Sequence, residues 1–450
     1  LKPALNQKSV SAEALAMPTL LCDVVSPDAK SHALSRAERR KLKDQARADA
    51  LQPLQQKLQS QDPNEQFEAI EELLRQFENI SLDTVLAADV LPWVLQLSQE
   101  STNLDLQTQA LWALHRFSEG TPKQTKCMVE QGALQRLTPL LTAPSRTQQQ
   151  VLQIITNVAK ASEELRDEVI HAGIVDYVTG QFQGSEPLPV LQKAAGLLRA
   201  VCSWPCAEMA EALSKRLLSA LSLLLTSNDE DVLINVCEAL AMLPHCDPQH
   251  LAVLLMRGAV ERLVFLLECP MSKVQAPVCR ALQRVACASK TGMQALLVCE
   301  PLSALKELME SDEPTIQLES TVLVANTIVF GGPHVQEVLK AGCVPLLLAR
   351  LDGEAEIRRA AAKGICALMK RAPHAELWKV TTVCGVLEAL PGESIALDFL
   401  IAALKLTDGE LSQTLQEAAC AFLEDCHFQD ARQEQVQEML LVLKAPHLRI

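Results

Sequence analysis

Fifteen cysteines and nine histidines are the residues of this chain best suited to nucleophilic or metal chemistry. Their spacing argues against both. A structural zinc site takes thiolate and imidazole ligands in short paired spacings, and no CxxC…CxxC pair occurs. Cys202 and Cys206 flank Trp204 and Pro205 without further ligands beside them. Most cysteines fall inside apolar runs, as Cys202, Cys237, Cys279, Cys366 and Cys420 do. There a free thiol packs as a small hydrophobe. The odd count and the placement fit a reducing compartment rather than a disulfide framework. His115 and His171 stand near turns or helix ends, away from a Cys or Asp that would activate them. HExxH, GxSxG, the Walker A loop and the dinucleotide fingerprint do not occur. The chain therefore reads as a non-enzyme, with no metal and no cofactor expected.

What recurs instead is a framework. VEQGALQRLTPLL places Gly132 between two apolar segments, and IHAGIVDYVTGQF does the same with Gly173, 41 residues on. Gly258 and Gly342 follow in LMRGAVERLVFLL and LKAGCVPLLLARL, each about two repeats further along. Asp89 stands 43 residues before Gly132, and Gly385 stands 43 after Gly342. The skipped registers, LSKRLLSALSLLL near 213 and CEPLSALKELM near 300, keep the apolar pattern without the glycine. A period near 42 suits armadillo or HEAT units, not the shorter TPR or ankyrin units. The glycine serves a sharp turn between two helices. After the second helix comes a polar loop such as TAPSRT or TSNDED, then a long closing helix. QTQALWALHRFS, QQVLQIITNVAKA, DVLINVCEALAML and EIRRAAAKGICALM are such helices. In them Leu and Val at i, i+3, i+4 and i+7 form a continuous core. Ala195, Ala239, Ala281 and Ala325 let neighbouring units approach. Glu238 and Glu319 lie beside these rows and are readable as buried polar residues, but exposure on one face is the simpler reading of both. The expected fold is all-α: a right-handed superhelical solenoid of about eight to nine armadillo-type repeats.

Composition agrees. Leu and Ala, both good helix formers, dominate, and 48% of residues are hydrophobic against 21% charged. A core of that size excludes a mostly disordered chain. A solenoid also escapes the usual limit on domain size, because each unit buries its face only against its neighbours. A net charge of -14 opposes general binding to phosphate backbones. The longest apolar runs, such as 217–225, are too short to span a membrane. No signal-peptide pattern is visible, and the first residue is Leu1, so the true start is left open.

Three stretches are expected. Residues 1–60 form an N-terminal extension, partly disordered, with a basic helix. Residues 61–430 form the repeats, and 431–450 a capping helix and tail. Within the extension, Arg36, Arg39, Arg40, Lys41, Lys43 and Arg47 make a basic run in an acidic chain. Ser35 and Glu38 have capping-box spacing at its start. The run reads either as a solvated helix face or as a recognition segment.

Residues 107–141, QTQALWALHRFSEGTPKQTKCMVEQGALQRLTPLL, closely resemble an armadillo repeat of the importin-alpha nuclear import adaptors. In that family a Trp is followed four residues later by an Asn, and then by a G…Q…V…GA linkage. Residues 65–97 resemble the family's first repeat, and QIITNVAKASEELRDEVIHAGIV the next unit. The likeness is strongest over 65–175 and runs diffusely to about 430. It implies binding of an extended basic peptide in a concave groove. There Trp side chains sandwich Lys and Arg stems, and Asn amides clamp the peptide backbone. It also implies importin-beta as a partner through the basic run at 36–47, and a life in cytoplasm and nucleus.

The pattern is only partly kept. At the family's Asn positions this chain has Arg116, Asn157, Arg199, Met242, Arg284, Asn326 and Leu368. Trp112 matches a family Trp, whereas Gln153, Ala195, Glu238, Arg280, Val322 and Gly364 do not. Thr108 lies one turn from Trp112 and shares its stripe. The candidate groove residues are thus Thr108, Trp112, Arg116, Asn157, Arg199, Arg284 and Asn326. Arginines at amide positions favour an acidic or C-terminal carboxylate ligand. They are equally readable as solvated side chains, or as a weakened basic-peptide groove. The functional expectation is a protein-binding adaptor that recognises a cargo peptide for nuclear import. A dedicated scaffold or chaperone cofactor for one partner, and a cytoskeletal or ciliary component, are the alternatives.

Overall fold

In the computed structural model residues 51–424 are described, except 78–79, 101–102, 182–185, 204–210, 244–247, 372–379, 392 and 407–412. Beyond 424, residues 433, 436, 437, 439, 440 and 443 are described. The basic run at 36–47 and the Trp204–Cys206 stretch lie outside them. Every regular element among the described residues is helical.

The units repeat a fixed order. Helix Pro122–Glu130 turns sharply into Ala133–Leu137, which tightens into a 3-10 stretch, Thr138–Thr142. The closing helix Ser145–Ala161 then runs back over both. Glu163–His171, Ile174–Gln181 and Leu188–Cys202 repeat the order. So do Pro248–Met256, Ala259–Leu267 and Ser272–Ala288, then Lys290–Val298, Leu302–Met309 and Pro314–Phe330. Leu104–Ser118, Glu230–Met242 and Ala355–Arg371 close three further units. Each closing helix packs on the next, so the chain is a solenoid of stacked units.

The turn between the two short helices needs a left-handed residue. Gly132, Gly173, Gly258 and Gly342 supply it, with φ between 67° and 85°. Asp89 and Glu300 take the same conformation at φ 51° and 53°. The register near 300 therefore keeps the turn without a glycine, at a cost of roughly 1 kcal/mol that the surrounding packing bears. Polar caps start many of the helices. Asn103 Oδ1 accepts from the backbone N–H groups of Asp105 and Leu106, and Asp229 Oδ1 accepts from that of Val232. Such caps satisfy donors that a helix start leaves orphaned.

The core runs along the stack. Ala195, Ala239 and Ala281 have no exposed surface, and Ala325 is 4% exposed. Gly364 continues this close approach between units: a Cβ there would sit 3.1 Å from the Cβ of Ala325. The first described helix, Gln52–Leu58, lies within the stretch that the sequence assigns to the extension. It buries Leu54 and Leu58 in the same core.

Candidate peptide-binding groove

The closing helices expose one stripe each, and the stripes align across the stack. Between Leu188–Cys202 and Pro314–Phe330 they enclose an open concavity of about 670 Å³. Arg199, Arg284 and Asn326, three of the sequence candidates, line it together. Arg280, Glu238 and Glu319 complete its charged floor.

Charge pairing runs across this floor. Arg199 Nε lies 2.6 Å from Glu238 Oε2. Arg280 stands between two acids, with Nη2 3.5 Å from Glu238 Oε1 and Nη1 3.0 Å from Glu319 Oε1. Gln283 Nε2 donates to Glu319 Oε2 and to the Glu319 carbonyl, both at 2.9 Å. Four successive closing helices are thus tied by an alternating Arg–Glu–Arg–Glu ladder. The side chains of Glu238 and Glu319 are only 19% and 17% exposed. The sequence reading of both as simply exposed acids is therefore corrected: they are sequestered and paired. The signal that would have found them is opposite charge at repeat spacing, since Arg280 stands 42 residues from Glu238 and 39 from Glu319.

Arg284 is different. Its Nε donates to the Ala241 carbonyl at 2.8 Å, and no carboxylate pairs with it among the described residues. Asn326, on the far side of the concavity, has a side-chain amide without a hydrogen-bond partner among the described residues.

The first units present a neutral polar chain instead. Asn157 Nδ2 donates to Ser118 Oγ at 2.9 Å, and Asn157 Oδ1 accepts from Gln153 Nε2 at 3.1 Å. Gln153 Oε1 in turn accepts from Lys193 Nζ at 2.9 Å. Trp112 is 46% exposed, and its ring stacks on His115 at 5.8 Å between centroids, with 11° between the planes. Burial lowers the pKa of His115, as do Arg116 and Lys193, while Glu119 opposes the shift. Arg116 pairs with Glu119 at 2.7 Å, and the Thr108 hydroxyl donates to the Leu104 carbonyl of its own helix.

The aligned register slips in two places. Ala195 is fully buried, and the neighbouring Gly196 opens onto free space. Leu368 is fully buried and Gly364 packs on Ala325, so this pair faces the core rather than the groove.

Of the described thiols, Cys287 is exposed and lines the concavity, and partial burial raises its pKa while Arg284 opposes the shift. Burial pushes Cys366 up to about 12 and raises Cys237 and Cys279 as well. Among the described residues no three His, Cys, Asp or Glu side chains are placed to hold a metal ion, and no described helix is long and apolar enough to cross a membrane.

No protein-family model matches the chain. Importin subunit alpha-1b of Oryza sativa subsp. japonica is 29% identical over 272 residues, which are 60% of this chain and 51% of that protein. Importin subunit alpha-2 of Arabidopsis thaliana is 30% identical over 192 residues, 42% of this chain and 35% of that one. The chain thus spans about half, or less, of the length of these relatives. An engineered protein of known structure aligns over 88% of this chain and 92% of its own, with a TM-score of 0.65 and 21% identity, a likeness of fold alone. The architecture and these relatives together make this an armadillo-repeat fold related to the importin alpha subunits, at identities of 30% or below.

Proposed function

We propose that this chain is a protein-binding adaptor that holds an extended segment of a partner along the face of its closing helices. The observation that carries the reading is the continuity of that face. Trp112, Gln153, Asn157, Arg284 and Asn326 recur along it at repeat spacing, and its middle is concave. An extended peptide offers backbone donors and acceptors at every residue and side chains alternately to each side. A row of amides and slots suits that ligand.

The related importin subunits suggest the specific form of this role, which is recognition of a cargo segment for nuclear import, with passage between cytoplasm and nucleus. In that form Arg36, Arg39, Arg40, Lys41, Lys43 and Arg47 would engage importin-beta. The Arg–Glu ladder favours a second form, a scaffold dedicated to one partner, because its middle arginines are taken up by the protein's own acids rather than left to a range of cargoes.

The test is selection of about 12-residue peptides from a random library on the full chain, followed by fluorescence anisotropy with variants. Loss of about tenfold in affinity on Trp112→Ala or Asn157→Ala, roughly 1.4 kcal/mol, is expected. Selected peptides that bind both variants as well as the parent chain would sink the adaptor reading, and so would a library that yields no binder. Binding of a basic import-signal peptide by the same face supports the import form over the dedicated scaffold.

A further inference from the structure

The charges on this face do not cancel. From helix Ser145–Ala161 to helix Ser272–Ala288 it carries Lys160, Lys193, Arg199, Arg280 and Arg284. Arg199 and Arg280 are matched by Glu238 and Glu319. Lys160, Lys193 and Arg284 have no carboxylate partner among the described residues. Lys193 donates to the Gln153 amide oxygen and Arg284 to the Ala241 carbonyl, which are neutral acceptors. Three cations without a carboxylate partner among the described residues therefore lie along the closing helices of a chain whose net charge is -14, Arg284 in the concavity and the two lysines on the helices before it.

Folding brings Lys160, Lys193 and Arg199 into one another's field at a cost. Partial burial holds Lys160 below the ordinary lysine range, and the charges of Arg199 and Lys193 push it the same way. Neutral amides stand where an acid would relieve the repulsion: Gln153 accepts from Lys193, and Asn235 Oδ1 accepts from Arg199 Nη1 at 3.4 Å. Arg284 engages only its Nε, so both Nη groups remain to grip a carboxylate in the forked geometry that guanidinium favours.

We propose that this stretch of the groove binds an extended polypeptide segment carrying several acidic side chains, with Lys160, Lys193 and Arg284 as its receptors. The inference rests on the reading of this face as a peptide groove and adds the charge of the ligand. Spacing selects a segment over a single carboxylate. The three cations stand on three different closing helices, Ser145–Ala161, Leu188–Cys202 and Ser272–Ala288. Packed helices lie about 8–10 Å apart, and Glu230–Met242 stands between the last two, so three spacings separate the outer cations by roughly 24–30 Å. One terminal carboxylate cannot meet them all. An extended chain rises about 3.3 Å per residue, so some seven to nine residues span the set, with acids about three and then about six residues apart. A ligand of that kind removes the repulsion that the folded groove holds, whereas a basic segment adds to it.

The experiment titrates the full chain with three labelled probes: an acidic peptide of about ten residues with Glu at every third position, its Lys counterpart, and a single-stranded oligonucleotide of equal negative charge. Each is measured at about 50 and 300 mM salt, so that diffuse attraction is recognised. The acidic peptide is expected to bind, and to lose about five- to tenfold in affinity on Lys160→Gln or Arg284→Gln. Arg257→Gln, an exposed cation away from the concavity, should leave it unchanged. Circular dichroism of the variants should match the parent, because Lys160 and Arg284 are exposed. Equal losses for Arg257→Gln would overturn the proposal as general charge attraction. Oligonucleotide binding as tight as that of the peptide, with the same dependence on Lys160 and Arg284, would overturn it in favour of a phosphate polymer. If the Lys peptide alone binds and weakens on Trp112→Ala, the charge assignment falls and the adaptor reading stands. If the acidic and basic peptides both fail to bind, as do peptides sought in the random library, both fall together.

Discussion

Two stretches of the same face solve different problems. In the first units an exposed indole and a chain of amides meet solvent, and the bonds among Ser118, Asn157, Gln153 and Lys193 are between neutral groups or a cation and an amide. In the middle units the face is floored by Arg199, Glu238, Arg280 and Glu319, bound to one another. The difference shows how a repeat scaffold divides its polar residues. A charge satisfied by the neighbouring unit stiffens the stack. A polar group left short of partners is available to a ligand. By that standard Arg284 and Asn326, although they stand beside the ladder, are the residues we propose for a ligand, whereas Arg280 braces the fold.

The sharpest way to break the comparison is to remove the centre of the ladder. Arg280→Ala leaves Glu238 and Glu319 without their shared cation, on the two helices that flank its own and largely withdrawn from water. Breaking a fully buried pair costs about 3–5 kcal/mol and an exposed one about 0–1 kcal/mol. Arg280 is 37% exposed, so solvent screens much of the effect, and a loss of about 1–2 kcal/mol is expected from urea unfolding. A loss no larger than that of an ordinary surface Arg→Ala control would show that the ladder does not brace the stack.

The next effect belongs to the first units. Asn157→Ala gives up the bonds to Ser118 and Gln153, both partly buried, and should cost about 1 kcal/mol. Asn326→Ala should change stability by less than about 0.5 kcal/mol, because its amide has no partner to lose among the described residues. The order reverses for ligand. A bound peptide should weaken more on Asn326→Ala than its small stability effect suggests, whereas Asn157→Ala mixes the two. Equal stability losses for the two asparagines would mean that Asn326 is held by the fold as firmly as Asn157.

This contrast also marks what the sequence could tell. The solenoid was legible from the spacing of Gly132, Gly173, Gly258 and Gly342, because a left-handed turn is a local demand that a single residue type meets cheaply. Glu300 shows the limit of that signal, since it takes the same turn in a register where glycine is missing. Periodicity named Arg199, Arg284 and Asn326, and the structure places all three on one concavity. Periodicity named Glu238 and Glu319 but did not pair them with Arg199 and Arg280. Those lie one unit away, and the face a helix presents depends on its rotation in the stack. A one-residue rotation separates Ala195, which is in the core, from Gly196, which opens onto free space. The constraint that sets it, packing of the closing helix on both neighbours, is spread over many residues, and no single position announces it.

The smallest expected effect separates the two stretches by pH. His115 sits under the Trp112 ring, and burial holds its pKa below the ordinary 6.5, with Arg116 and Lys193 adding to the shift against Glu119. The unfolded chain takes up a proton there more readily than the folded one. Stability from this site is therefore complete above about pH 6.5 and is lost as pH falls toward the folded value. Between pH of about 7.5 and 5.5 the parent chain should lose slightly more stability in urea than His115→Gln, in which nothing titrates at this place. No histidine lines the middle concavity, so a Trp112→Ala chain should differ from the parent in its pH slope more than an Arg284→Gln chain does. Without the indole His115 gains water and its pKa returns toward 6.5, which flattens the slope. If parent, His115→Gln and Trp112→Ala share one slope, His115 is as well solvated as a surface histidine, and the indole does not shield it.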